Sequence, residues 1–175
     1  MAQFIVSAVG QDRPGLVGAF TGYLHAAGAN ILESRMVNLR GQFAVIVLIE
    51  AADADALPRD LPAACEKMGL AASLAPPRAA TAPAPIVGLE FKLKTYSLDQ
   101  PGLVHRVSEV LRAHGVNIED LAARQESAAF AGDSLFIMEM RLTVPRTVPV
   151  KKLRADLEAV CEQLNADLDW EPVEP

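Results

Sequence analysis

The stretch DRPGLV at Asp12–Val17 recurs as DQPGLV at Asp99–Val104, a shift of 99 − 12 = 87 residues. A second stretch follows each of them, GANI at Gly28–Ile31 and GVNI at Gly115–Ile118, again 87 residues apart. Chance similarity would not preserve both the order and the spacing of two motifs. The chain therefore contains an internal repeat, and each copy is expected to form one folded unit.

The repeat continues along the chain with a shift that increases twice. Phe43 aligns with Phe136 at a shift of 93, so the second copy has 93 − 87 = 6 extra residues, which fall in the loop-like stretch Ser127–Ser134. Leu57 aligns with Leu153 at a shift of 96. The correspondence therefore extends through the whole copy.

The composition changes to proline and alanine between the two copies, which is typical of an extended spacer. The sequence predicts a first domain at residues 1–76, a Pro/Ala-rich linker at 77–86 and a second domain at 87–175.

Both copies show the same order of predicted elements. Leu16, Phe20 and Leu24 have helical spacing, a strand precedes this helix, and two strands, a second helix and a short strand follow it. The order βαββαβ is that of the ferredoxin-like motif. The predicted fold class is therefore α+β, with two ferredoxin-like domains whose antiparallel sheets carry helices on one face. The third strand, Phe43–Glu50, is apolar on both faces, which predicts a central strand with a further packing partner.

The charge balance argues against nucleic acid as a partner. The 175 residues include 16 Lys and Arg against 22 Asp and Glu, a formal net charge of −6. The one tight basic cluster, Lys151–Arg154, is followed at once by Asp156 and Glu158. Because nucleic-acid binding usually needs a basic surface, we expect no direct binding to DNA or RNA.

The location and assembly of the protein are predicted from what the chain lacks and from its size. The sequence shows no signal peptide and no apolar stretch long enough to cross a membrane. Cys65 and Cys161 stand alone in apolar helical patterns, as buried free thiols do. We therefore expect a cytoplasmic protein without membrane association. Units of about 80 residues bury only about 60–65% of their extended-chain surface, so we also expect a homodimer.

The Asp-x-Pro-Gly segment joins the first strand of each copy to its first helix. Proline favours the first helical turn, aspartate caps free backbone N–H groups, and glycine permits the close approach of a ligand. The free N–H groups favour a carboxylate, and Asp12 and Asp99 are placed to accept an ammonium group. The same segment is also compatible with a helix start that binds nothing.

Asn30 and Asn117 follow the first helix of each copy directly. An asparagine at such a position can bond the local backbone, or it can project toward the loop that carries the aspartate.

The sequence shows no combination of residues that indicates catalysis. His25, His105 and His114 have no paired nucleophile, and there is no phosphate loop, dinucleotide fingerprint or Cys/His cluster. We therefore expect no catalytic residue, no metal site and no cofactor.

Both copies resemble the ACT domain, whose marks are Asp/Asn-x-Pro-Gly and, about a dozen residues later, Gly-x-Asn-Ile. This resemblance implies a non-enzymatic regulatory module that binds a small amino acid, glycine or serine-like, where the strand-to-helix loop meets a neighbouring domain. The ligand-binding residues that it implies are Asp12, Arg13, Gly15, Leu16, Asn30, Ile31, Asp99, Gly102, Leu103, Asn117 and Ile118.

The two-copy architecture and the segment Asn30–Arg35 also resemble the glycine cleavage system transcriptional repressor family. That resemblance implies a repressor that acts through a protein partner such as a DNA-bound activator. The alternative is an amino-acid-binding regulatory subunit of a metabolic enzyme. The second copy has Gln100 in place of Arg13 and no equivalent of Arg35, which predicts that the two sites differ in ligand or strength.

Overall fold

The two copies of the repeat fold into two units, Met1–Pro83 and Ala84–Pro175. A computed structural model describes residues 2–53, 55–76, 87–127 and 134–173. The predicted linker at 77–86 and most of the predicted insertion, 128–133, lie outside the described residues. The exact domain boundaries therefore stay a prediction.

Each unit has six regular elements in the order βαββαβ. The first unit contains β1 (Ala2–Gln11), α1 (Leu16–Ala26), β2 (Ala29–Leu39), β3 (Gln42–Ala51), α2 (Ala56–Lys67) and β4 (Leu70–Ala75). The second contains β5 (Gly88–Leu98), α3 (Leu103–Ala113), β6 (Asn117–Ser127), β7 (Ser134–Pro145), α4 (Val150–Gln163) and β8 (Ala166–Pro172).

The sheets have the strand orders β2-β3-β1-β4 and β6-β7-β5-β8, and all neighbouring strands are antiparallel. This topology confirms the predicted ferredoxin-like fold class.

The core of each unit lies between one face of its sheet and its two helices. In α1, the buried residues are those that the helical spacing predicted, Leu16, Phe20 and Leu24. They pack in one cluster with inward-facing residues of the sheet such as Val6 and Val47. Burial of an apolar side chain of this size contributes about 1.5–3 kcal/mol, so this cluster fixes where the strand-to-helix turn must leave the sheet.

The cysteines belong to these cores. Cys65 and Cys161 are buried free thiols, as predicted, and burial raises the pKa of both thiols. Among the described residues, no helix combines the length and apolar character needed to cross a bilayer.

Candidate ligand-binding site

The Pro-Gly segment forms a tight turn before each first helix. In the first unit, the N–H of Leu16 donates to the carbonyl of Arg13 at 3.2 Å. Gly15 has φ 85° and ψ −3°, which are the angles of the third residue of a type II turn. Gly102 has almost the same angles, φ 93° and ψ 0°. This left-handed conformation favours glycine, so the turn explains why both copies carry it.

The predicted capping of the helix by aspartate and proline is wrong. Helix α1 begins at Leu16, two residues after Pro14, and Gly15 occupies the N-cap position without a side-chain hydrogen bond. The type II turn separates Asp12 from the helix in the chain, and the Asp12 carboxylate makes no hydrogen bond to the first helical N–H groups. The start of α3 at Leu103 is likewise without a side-chain cap.

The carboxylate of Asp12 binds a neighbouring strand instead. It accepts a hydrogen bond from the side-chain amide of Asn38, near the end of β2. The Asn38 Oδ1 atom in turn accepts from the N–H of Gly41 at 3.1 Å, and the N–H of Asp12 donates to the Gly41 carbonyl at 2.8 Å. The turn is thereby fastened to the β2–β3 hairpin.

The second unit repeats this connection. The Nε2 atom of Gln125 donates to Asp99 Oδ2 at 2.6 Å, and the N–H of Asp99 donates to the Ser134 carbonyl at 3.0 Å. Asn38 and Gln125 are 125 − 38 = 87 residues apart, which is the shift of the repeat. Neither residue is among the predicted site residues, although the two side-chain amides stand at repeat-related positions of the sequence.

Arg13 and Gln100 also make equivalent contacts. The Nη2 atom of Arg13 donates to the carbonyl of Met68 at 3.3 Å, and Nε2 of Gln100 donates to the carbonyl of Leu164 at 2.5 Å. Met68 and Leu164 are the C-cap residues of α2 and α4. Both side chains therefore join the turn to the end of the second helix of their unit, and they differ in charge.

The buried hydroxyl of Ser97 lies two residues before Asp99, the first residue of the second turn segment. Ser97 is 5% exposed, and its Oγ has no hydrogen-bond partner among the described residues. An unpaired buried hydroxyl costs about 1–3 kcal/mol, which a water molecule or a ligand would recover. Gly10 occupies the equivalent position of the first unit, 97 − 87 = 10.

The turns offer two groups to a ligand. The first N–H groups of a helix have no intrahelical acceptor, and no side chain caps them here. The carboxylates of Asp12 and Asp99 each receive one side-chain amide, which leaves further acceptor positions on their oxygens. Each turn therefore contains, within a few residues of the chain, a helix start without a side-chain cap and a carboxylate with free acceptor positions.

Asn30 lies far from the turn of its own unit. It is exposed at the start of β2 and pairs with Glu50, whereas Asp12 contacts Asn38 near the end of the same strand. The 38 − 30 = 8 intervening steps at about 3.3 Å each separate the two sites by about 26 Å. Of the two possibilities for this asparagine, projection toward the aspartate of its own unit does not occur, because β2 runs the whole length of the sheet between them.

Asn117 has the same position in the second unit, at the start of β6. Its Nδ2 donates to Glu119 Oε1 at 2.7 Å, and the hydroxyl of Thr143 donates to the same oxygen at 2.7 Å. These hydrogen bonds, that from Asn117 first, lower the pKa of the Glu119 carboxyl.

The apolar residues of the predicted site belong to the cores. Leu16 and Leu103 are 1% and 3% exposed, so their side chains are not available to a ligand. Ile31 and Ile118 are half-buried and pack against the core of their own unit.

The histidines are exposed or partly packed, as predicted. His114 Nε2 lies 2.8 Å from Asp156 Oδ2, which joins the end of α3 to α4. His25 and His105 are exposed. In the part of the chain that the structure describes, no group of three or more His, Cys, Asp or Glu side chains is arranged to hold a metal ion.

Fold, turn and sequence together define the class of protein. Residues 2–74 match the model of the ACT domain, and the second unit repeats the same element order and strand order. The chain belongs to the ACT domain family and contains two such domains in tandem.

Similarity to individual proteins extends beyond the first domain. The chain is 24% identical over 164 residues to the glycine cleavage system transcriptional repressor of Escherichia coli (strain K12), covering 93% of this chain and 85% of that protein. The crystal structure of an unknown protein from Galdieria sulphuraria has a TM-score of 0.84 at 32% identity and covers 99% of both chains. The UPF0237 protein MK1213 of Methanopyrus kandleri is 32% identical over 74 residues, which are 40% of this chain and 82% of that protein.

Proposed function

We propose that this chain is a non-enzymatic regulator that senses a small free amino acid, glycine or a serine-like molecule. We further propose that it represses transcription of the glycine cleavage system through a protein partner. The observation that carries the sensor proposal is the duplicated turn, in which a fixed carboxylate precedes an uncapped helix start by four residues.

A free amino acid complements both groups of the turn. Its carboxylate accepts from the free N–H groups at the helix start, where the helix dipole also favours negative charge. Its ammonium group donates to Asp12 or Asp99. Arg13 adds a positive charge to the first turn that the neutral Gln100 does not supply to the second, so we expect the first turn to bind more tightly.

Asn30 and Asn117 cannot act with the turn of their own unit in this proposal. Because about 26 Å separates Asn30 from the turn of its own unit, it cannot contact a ligand held there. We propose that these asparagines face a ligand that is held by the turn of an ACT domain in a second chain.

The expected affinity is modest. Glycine has about five heavy atoms, and the best small ligands gain about 1.5 kcal/mol per heavy atom. The resulting ceiling of about 7.5 kcal/mol corresponds to a low micromolar or weaker Kd. Such an affinity suits a sensor of a metabolite that is present at high concentration.

The repressor role is supported by the similarity to the Escherichia coli repressor over 93% of this chain. The net charge of −6 suits binding to a protein partner better than direct binding to DNA. We therefore expect a DNA-bound transcription factor among the proteins that the chain retains.

Calorimetric titration with a panel of free amino acids tests the sensor role. We expect glycine or serine to bind the wild-type chain, and Asp12→Asn and Asp99→Asn each to remove one class of site. Asparagine retains an oxygen that can accept from Asn38 or Gln125, so these variants change the charge and keep the turn. The sensor role would be refuted if no amino acid in the panel gave a heat of binding with the wild-type chain.

Affinity capture with the tagged full chain, with and without glycine, tests the repressor role. Recovery of a transcription factor in a glycine-dependent manner would support it. Recovery of a metabolic enzyme instead would replace it by the alternative, a regulatory subunit.

A further inference from the structure

The second sheet has a charged cavity on its outer face, the face that points away from α3 and α4. The cavity has a volume of about 480 Å³. Its lining includes three cations, Lys92, Lys94 and Arg141, together with carboxylates from all four strands except β5. The apolar residues Leu98 and Ile137 lie further along β5 and β7, outside the cavity lining. The charges are therefore gathered in one half of this face.

Two of the cations lie directly opposite each other. Lys92 on β5 pairs with Arg141 on β7, and these are the two central strands of the sheet. Side chains in such a pair have Cβ atoms about 4.5–5.5 Å apart, and like charges there destabilise the sheet. Two residues further along, Lys94 is opposite Glu139, and its Nζ lies 3.2 Å from Glu139 Oε1. The same two strands therefore hold one attractive and one repulsive pair.

The repulsion between Lys92 and Arg141 is not relieved by a neighbouring carboxylate. Glu171 on β8 is the strand partner of Lys92, and Asp120 on β6 is that of Arg141. Among the residues that the structure describes, however, neither cation makes an ion pair with these or other carboxylates. Both cations therefore keep their donors for another group.

The first unit shows that the fold does not need charges at these two positions. By the shifts of 87 and 93 residues, Lys92 corresponds to Ile5 and Arg141 corresponds to Leu48. Ile5 and Leu48 are likewise opposite each other on β1 and β3. Because an apolar pair fits the same place in the same fold, the two cations of the second unit serve a purpose other than folding.

We propose that Lys92 and Arg141 form a binding site for a compact dianion, such as the phosphate of a small phosphate monoester or a short dicarboxylate. A phosphate monoester carries about −1.5 to −2 charges at pH 7, which offsets both cations. The guanidinium of arginine binds phosphate or carboxylate oxygens through two parallel hydrogen bonds, and the lysine adds a point charge. The bound dianion converts the repulsive pair into an attractive arrangement of three groups.

The surrounding carboxylates restrict the ligand to a small molecule. Asp120 lies on one side of the two cations, and Asp169 and Glu171 lie on the other. They repel an extended polyanion, because like charges placed together across an interface are costly. Hydroxyl or ammonium groups beside the anion of a small ligand would instead donate to them. The volume of the cavity lies within the range of about 300–1,000 Å³ that is typical of small-molecule sites.

Nuclear magnetic resonance of the isotope-labelled full chain, titrated with inorganic phosphate at constant ionic strength, tests this site. We expect saturable shifts of the amide resonances around Lys92 and Arg141. Lys92→Gln and Arg141→Gln should each weaken binding about tenfold or more, because each removes a charged hydrogen-bond donor. Lys67→Gln is the matched control: it removes the same charge from an exposed position of the first unit and should bind as the wild type does. Unchanged resonances in the rest of each variant show that it is folded.

Parallel titrations with phosphoserine, succinate and acetate identify the kind of anion. Tighter binding of phosphoserine would support a phosphate monoester, and tighter binding of succinate would support a dicarboxylate. The proposal would be overturned if none of the dianions gave saturable shifts, if acetate, with its single charge, bound as tightly as they do, or if both glutamine variants bound like the wild type. The site is separate from the two turns, so a failure to bind glycine would leave this proposal intact.

Discussion

The side-chain amide of Gln125 donates a 2.6 Å hydrogen bond to the carboxylate of Asp99, and Asn38 does the same for Asp12 in the first unit. Each bond joins the turn before the first helix to the far end of the second strand. The aspartate is thereby held in one position as an acceptor, instead of capping the helix. Both copies of the repeat keep this arrangement, although the donor is asparagine in one and glutamine in the other.

Removal of the amide donor should weaken ligand binding more than folding. Gln125→Met keeps the length of the side chain but cannot donate to Asp99. We expect a loss of about 1 kcal/mol in the free energy of unfolding, since a typical hydrogen bond contributes about that much. The affinity of the second turn for glycine should fall about tenfold, because Asp99 is no longer fixed. Titration calorimetry and urea unfolding measure the two effects.

Asn38→Leu makes the corresponding change in the first unit and should affect only the first site. Equal losses at both sites in either variant would contradict an independent role for the two turns.

Substitution by alanine should change the stability of the first unit in opposite directions at two glycines of the same segment. Gly15 has φ 85°, so Gly15→Ala should destabilise the first unit by about 1–2 kcal/mol, although its Cβ would meet no atom within 4 Å. Gly18, inside α1, also has open space around it, and Gly18→Ala should stabilise by about 0.5–1 kcal/mol. Thermal unfolding of the two variants measures the difference, and destabilisation by both would contradict it.

The Glu119 carboxylate predicts a dependence of stability on pH. Its pKa in the folded chain lies below the ordinary value of 4.5, because Asn117 and Thr143 donate to it. The ionised form therefore stabilises the folded state above pH 4.5, and this contribution is lost as the pH falls through the lowered pKa. Relative to Glu119→Gln, the wild-type chain should be more stable at neutral pH and should lose this advantage in acid.

Urea unfolding of both proteins from neutral to acidic pH gives the comparison. A difference between them that stays constant over the whole range would show that the ionisation of Glu119 is not involved.

The unpaired hydroxyl of Ser97 is either a structural defect or a ligand contact, and the variant Ser97→Ala distinguishes the two. Ser97→Ala removes a buried group without a described partner, so the unliganded chain should be as stable as the wild type or about 1 kcal/mol more stable. If the hydroxyl contacts the ligand, the affinity of the second turn should fall while that of the first is unchanged. Destabilisation of the unliganded chain would instead indicate an acceptor outside the described residues.

The fold could be predicted from local patterns because each of them depends on residues close in sequence. The spacing of Leu16, Phe20 and Leu24 defines a helix face, and the apolar run Phe43–Glu50 defines a central strand; the structure agrees with both. The exposure of Ile46, 47%, follows from the same run, since a strand that is apolar on both sides has one side that its own helices cannot cover.

The contacts of the site could not be predicted in this way, because they join distant parts of the chain. Pro14 and Gly15 are equally compatible with a first helical turn and with a type II turn before the helix, and only the latter removes Asp12 from the helix start. The distance of Asn30 from Asp12 is a consequence of the length of β2. The order of the motifs along the sequence does not reveal how far apart they lie in the folded domain.

Arg13 allows the structural and ligand-binding roles of the first turn to be separated. Its guanidinium donates to the Met68 carbonyl at 3.3 Å, and Gln100 makes the equivalent contact with Leu164 in the second unit. Arg13→Gln should therefore preserve the contact and the free energy of unfolding to within about 0.5 kcal/mol, while it lowers the affinity for an amino-acid carboxylate.

Arg13→Leu removes both functions and should lower stability by about 1 kcal/mol as well as affinity. The reverse change, Gln100→Arg, adds a positive charge to the second turn without loss of the contact, and it should raise the affinity of the second site toward that of the first. Titration calorimetry with glycine, combined with urea unfolding, measures both quantities for the three variants. If Arg13→Gln binds glycine as tightly as the wild type, the charge at this position does not act on the ligand, and Arg13 serves only to join the turn to α2.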